Sequence, residues 1–166
     1  MNNTNNTFLP TDYTIPSNSR YTKLKNWPTR IRILSNCITG WEYFNIDNKP
    51  VRSKEKFKSI TDMQENWKIK HFWAFIVYNY ETKQIEITQI NQATIRESIH
   101  NLCLDSDYWD PKTYDIKITR TWDGMDTKYS IVPWPVKPLW EEIVSLYEES
   151  NINLNALYEW EDPFNM

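Results

Sequence analysis

Cations and flat rings alternate through one stretch of this chain. Arg30, Arg32, Arg52, Lys54 and Lys70 interleave with Trp41, Tyr43, Trp73 and Phe75. Guanidinium and ammonium groups neutralise phosphates, and exposed rings stack on unpaired bases. Together they suit a groove for single-stranded nucleic acid, with each stacked ring contributing about 1–3 kcal/mol. Arg120, on a later β-like run, extends the cationic set. A competing reading puts all the rings in the core and leaves a protein-interaction module whose basic face docks an acidic partner. RNA is a third reading, because stacking and backbone contacts separate the two sugars only where a 2′-OH is read.

Little in the chain suits catalysis. Two glycines cannot build a phosphate loop, and the serines lie in no nucleophile motif. The acidic residues read as turn and surface positions, so no catalytic residue and no cofactor is expected. Cys37, His71, His100 and Cys103 are the one conceivable soft-metal set. Structural zinc is usually held by close ligand pairs, and only His100 and Cys103 form one here. Cys103 therefore reads as a core residue, His100 as a surface residue, and no metal is expected. Two widely spaced cysteines favour reduced thiols over a disulfide framework.

Net charge is −3, unevenly spread. Residues 20–72 hold 12 Lys/Arg against 5 Asp/Glu, while residues 139–166 hold 7 acids and no Lys/Arg. A basic body with an acidic tail points to a polyanionic ligand and to a tail that competes with it or recruits a basic partner. The tail ends Glu159-Trp160-Glu161-Asp162-Pro163-Phe164. Such an acidic tip with an apolar anchor suits a basic pocket with a hydrophobic floor, on a partner or in the chain's own groove; a plain solvated tail is the bland alternative. No apolar run reaches membrane-spanning length. The first residues lack the basic start and apolar stretch of a signal peptide, so a cytoplasmic location is expected.

The elements that must position these residues follow from periodicity. Residues 1–20 read as a disordered arm, 21–137 as one domain, and 138–166 as a helix with an acidic tail. Strands are expected over 29–38, 41–44, 51–57, 68–80, 84–90, 114–121 and 127–132, with Gly40 allowing a bend. A helix is expected over 92–104 with Asn91 as its N-cap, and another after Pro138. The fold class is mainly β. A five-stranded barrel of the OB type is the leading candidate, with one internal helix between its third and fourth strands and a C-terminal helix. A split β-sandwich or another small barrel would read similarly.

Nine tryptophans accompany only two glycines. Trp27, Trp67, Trp122 and Trp134 stand where turn chemistry expects glycine, which reaches positive φ without steric cost. Trp41 and Trp73 instead lie inside aromatic-rich strands.

Several blocks resemble phage-encoded single-stranded DNA-binding proteins. These are Leu24-Lys25 with Arg30-Ile31-Arg32-Ile33-Leu34, Gly40-Trp41-Glu42-Tyr43, and Asn48-Lys49-Pro50-Val51-Arg52-Ser53. The most specific are Lys68-Ile69-Lys70-His71-Phe72-Trp73-Ala74-Phe75 and the run from Tyr114 through Arg120 to Asp123-Gly124-Met125-Asp126-Thr127. The resemblance covers about residues 22–139. It implies an OB fold, coating of single strands during phage replication, recombination and repair, and an acidic tail that regulates binding or meets replication or recombination proteins. It implies no catalytic residues. In the family pattern Trp41 and Trp73 are matched, whereas glycine stands in place of Trp27, Trp67, Trp109, Trp122 and Trp134. One expectation follows: these five are UGA codons read as glycine in the source lineage, and their backbones take positive φ. The nucleotide sequence tests it, since UGG codons at Trp122 and Trp134 would end the idea.

Overall fold

The computed structural model describes residues 19–25, 27–123 and 126–164. Most of the expected N-terminal arm and the Gly124-Met125 turn lie outside these residues. Seven strands form one antiparallel sheet: β1 Thr29–Ile33, β2 Ile38–Phe44, β3 Pro50–Ser53, β4 Lys70–Asn79, β5 Gln84–Ile90, β6 Asp115–Asp123 and β7 Asp126–Pro133. Helix α1 spans Ala93–Leu104, α2 spans Glu141–Ser150, and short 3₁₀ turns cover Pro111–Thr113 and Leu154–Tyr158. The strand order is β3-β2-β4-β1-β6-β7, and β5 also pairs with β4.

The long central strand β4 organises this order. β2 pairs along its first half and β1 along its second, while β5 takes the other edge. β1 and β2 thus act as one long strand interrupted at residues 34–37. At the break the Leu34 N–H donates to the Ile76 carbonyl (2.8 Å), and the Ser35 hydroxyl accepts from the Ile76 N–H (2.8 Å). Both backbone groups of Ile76 stay satisfied where the ladder is cut, which lets the chain bend without orphaned polar groups. The bend is therefore here and not at Gly40. Gly40 lies inside β2, where a Cβ would collide with the Ser53 carbonyl and touch the Phe72 ring at 3.0 Å. It is the close approach of β3 that demands a glycine there.

The expected closed five-stranded barrel is not formed. β5 and β7 do not pair among the described residues, and the sheet stays open. α1 follows β5 directly and packs against β7, so a helix and not a strand ladder bridges those edges. α1 starts after Gln92, not Asn91, and no side chain caps it.

Alternation gives the sheet two apolar faces. Phe75 and Val77 join Ile31, Ile33, Ile116 and Ile118 beneath Ile95 and Ile99 of α1. Phe72, Ala74 and Ile76 join Ile85 and Ile87 beneath Leu154 and Leu157. Each fully buried isoleucine or phenylalanine contributes about 1.5–3 kcal/mol. The segment after α2 therefore folds back over the second face. Its end is docked as well: Pro163 is buried and its carbonyl accepts from the Asn153 N–H (2.9 Å). Residues 20–22 run beside β5, with Ile87 bonded on both sides of Tyr21.

The left-handed backbone expected under the turn tryptophans is absent at Trp67, Trp109, Trp122 and Trp134. Trp122 is instead a strand residue paired with Thr127. The one described tryptophan with positive φ is Trp160 (φ 63°), whose ring is 53% exposed. A bulky residue there carries a backbone penalty of about 1–2 kcal/mol that glycine avoids. Trp160→Gly should raise the urea midpoint, by about 1 kcal/mol of unfolding free energy after glycine's entropic cost. Trp122→Gly should lower it, since glycine weakens a strand interior. Equal destabilisation by both would refute the backbone argument.

Candidate nucleic-acid interface

Strand register decides which predicted site residues meet. Trp41 lies directly opposite His71, and Thr39 opposite Trp73. All four side chains share the α1 face of the sheet. The Trp41 and His71 rings touch at 4.7 Å between centroids, and Trp73 packs at the margin of the first core. The row is half-buried: it continues the core face beyond the cover of α1. The His71 Nδ1 has no hydrogen-bond partner among the described residues.

Two predicted stacking rings are not available, and these are corrections. Tyr43 is 6% exposed because the loop after β3 wraps it. Phe57 packs edge-on against its ring (4.9 Å), and its hydroxyl donates to Asp62 (2.7 Å). Burial and then the Asp62 carboxylate push the phenol up to about 12. Phe75 is 2% exposed beneath α1.

The predicted cations point mostly the other way. Arg52 and Lys70 flank Glu42 on the opposite face from Trp41, and Arg30 and Arg32 share that face with Tyr78. Arg52 donates to Glu42 (2.7 Å) and Gln89 (3.0 Å). Lys54 reaches the Tyr158 ring (5.3 Å), and Lys70 the Trp67 ring (4.6 Å). Arg120 is half-buried opposite Tyr129, on the part of β6 beyond its pairing with β1. The residue that does reach the ring row was not singled out: Lys56 lies 4.9 Å from the Trp41 centroid. Alternation would put it with Arg52 on the other face, but β3 ends at Ser53 and the loop beyond carries Lys56 to Trp41. Lys54, Lys56, Lys58, Lys68 and Lys70 form no ion pair among the described residues.

Arg32 is a correction of another kind. It is 1% exposed and belongs to a buried hub around Asp115. Asp115 accepts from Arg32 Nε (2.8 Å), Arg30 Nε (2.9 Å) and the Tyr80 hydroxyl (2.9 Å), and Lys137 Nζ lies 3.2 Å away. The Arg30 guanidinium also stacks between the Tyr80 and Trp134 rings, at 4.1 and 4.0 Å. Arg32 is thereby withdrawn from any ligand and Arg30 is largely engaged.

No family model, curated protein or solved structure matches this chain. Function must therefore be argued from its own residues. Glu42, Glu86 and Asp115, the buried carboxylates, are corrections to the expectation that acids line turns and surfaces. Each is surrounded by donors: Arg52, Gln89 and Asn91 on Glu42, and Thr22, Asn79 and Thr82 on Glu86. No three His, Cys, Asp or Glu side chains converge as a metal site among the described residues. No described helix is long and apolar enough to cross a membrane.

The C-terminal signal is partly consumed within the chain. Phe164 packs edge-on against Tyr21 (5.6 Å) with Arg20 over its ring (4.6 Å). Glu159, Glu161 and Asp162 remain exposed. Of the two seats expected for the Pro163-Phe164 anchor, a partner or the chain's own groove, the chain itself provides one: the Tyr21 ring and the Arg20 guanidinium hold Phe164.

Proposed function

We propose that the protein is a non-enzymatic single-stranded DNA-binding protein, with the strand lying across Trp41, His71 and Trp73. The observation that carries this is the half-exposed ring row, a continuation of the core face left uncovered, with the Lys56 ammonium over one end. Residues 49–70 supply seven Lys/Arg against three acids; of these Lys56 reaches the row, while Arg52 and Lys70 face the other side of the sheet. Flat rings beside unpaired cations serve unpaired bases and their phosphates without reading sequence. The connectivity supports an open variant of the OB order. β1 with β2 makes the first strand, β4 and β5 the next two, and α1 precedes the last pair, β6 and β7. The sequence resemblance supports a role in coating strands during phage replication, recombination and repair.

The test is fluorescence anisotropy with labelled oligo-dT, oligo-U and a duplex of equal length. Oligo-dT should bind well ahead of duplex. If about four phosphates are neutralised, affinity should drop by about 50-fold between 50 and 200 mM salt. Equal affinity for duplex, or a salt-independent constant, would remove the proposal. Absence of any oligonucleotide binding would leave the reading in which the basic surface docks an acidic protein.

A further inference from the structure

Beside the ring row lies a half-open cavity of about 220 Å³. Trp73 and Ile99 wall it, Cys37 and Cys103 both line it, and Asn36 and Lys112 stand at its mouth. The Lys112 Nζ donates to the Asn36 side-chain oxygen (2.6 Å) and forms no ion pair among the described residues.

We infer that this cavity receives one unpaired base of the bound strand, with Lys112 holding the phosphate beside it. The inference rests on the single-strand reading and names a site within it. Three features select a base. The cavity is smaller than the roughly 300–1,000 Å³ of pockets for drug-sized ligands, and suits a single planar ring. Its lining is largely apolar, matching the faces of a base, and the exposed Asn36 and half-exposed Lys112 offer polar groups to its edge. Its position follows from register: the Trp41–His71 rung and the Thr39–Trp73 rung lie two residues apart on β2 and β4, about 6.8 Å. That is twice the roughly 3.4 Å rise of a stacked strand. Bases at successive rungs are therefore pulled apart, and each needs its own surface. Trp73 is the last ring of the row and a wall of the cavity, so the base that passes it enters.

The two cysteines allow a direct test on the unmodified full chain. Cys37 lines the cavity and is exposed, so iodoacetamide reaches it in the free protein and its alkylation can be timed. Iodoacetamide modification at Cys37 is followed by mass spectrometry, free and with the protein saturated by oligo-dT. Saturation is checked by anisotropy in the same samples. An abasic oligomer of the same length is the control. Oligo-dT should slow modification by about tenfold, while the saturating abasic oligomer should leave it nearly unchanged. A second arm fills the cavity from α1: Cys103→Phe should weaken oligo-dT binding by about tenfold with Trp73 intact, and Cys103→Ala should not. An unchanged Cys37 rate with oligo-dT bound, or equal protection by the abasic oligomer, overturns the inference while strand binding stands. No anisotropy change with oligo-dT overturns both. If Cys103→Phe fails to fold, protection in the unmodified chain still decides.

Discussion

Asp115→Ala should lower the unfolding free energy by about 3–5 kcal/mol, the largest stability loss expected from any single change in this chain. Asp115 is 0% exposed and is the sole carboxylate paired with Arg30, Arg32 and Lys137 among the described residues. Removing it leaves three cations together, and Arg32 has no route to solvent. An uncompensated buried charge costs far more than a lost surface pair. Domains of this size hold only about 5–15 kcal/mol in all, so the variant should melt early or not fold. Lys137→Met gives the contrast: it removes a partly exposed cation from a hub with excess positive charge, and should cost about 1 kcal/mol or less. Urea midpoints for the two variants check the pair. Equal, small shifts would mean that the hub is not what holds β1 to β6.

The same carboxylate gives the acid side of the stability profile. Burial by itself would raise its pKa, but hydrogen bonds from Arg30, Arg32, Tyr80 and Lys137 outweigh burial and hold it below the ordinary value. A folded-state pKa below the unfolded one adds stability above the unfolded pKa, about 3.9. That contribution is lost as pH falls below this value and through the lower folded one. The wild-type unfolding free energy should therefore drop on acidification, and Lys137→Met should retain most of the drop.

How much of this was legible beforehand depended on how local each signal was. β5 falls at residues 84–90 as its alternation requires, α1 where the period changes, and β6 and β7 around Asp123-Gly124. Within one strand, alternation also separates faces correctly: His71, Trp73 and Phe75 from Phe72, Ala74 and Ile76. The relation between strands is another matter. Whether Trp41 sits across from His71 or Lys70 is a one-residue difference in register, and a one-residue slip exchanges the faces. Nothing local in β2 encodes it. Rings and cations that interleave along the chain therefore separate onto opposite faces. Long-range cover was equally hidden. Tyr43 is buried by Phe57 and Asp62, and the second sheet face by residues 152–164. Asp115 did leave a trace: a lone acid entering a β run, in a chain whose first strand carries Arg30 and Arg32 at period two. Lys112 left none, since its place at the cavity mouth is set by the 3₁₀ turn before β6.

Replacing Trp41 with Ala and Trp73 with Leu together should weaken oligo-dT binding by about 30-fold or more, from two stacking contributions of about 1–3 kcal/mol each. The two positions need different substitutions. Trp41 touches mainly His71 and Lys56, so truncation removes a ring without opening the core. Trp73 packs against the first core, and Leu keeps apolar bulk there while removing the flat face. Trp41→Phe should recover part of the loss, because any ring offers a π face, whereas Trp41→Leu should not. The competing account, in which both indoles only fill space, predicts the reverse ordering of effects. Stability would fall with ring volume while the dissociation constant of the folded fraction stayed fixed. Measuring urea midpoints and anisotropy on these three variants separates the two accounts. Unchanged affinity in a folded double variant would take the strand off this face and leave the cations of the opposite face as its place to bind.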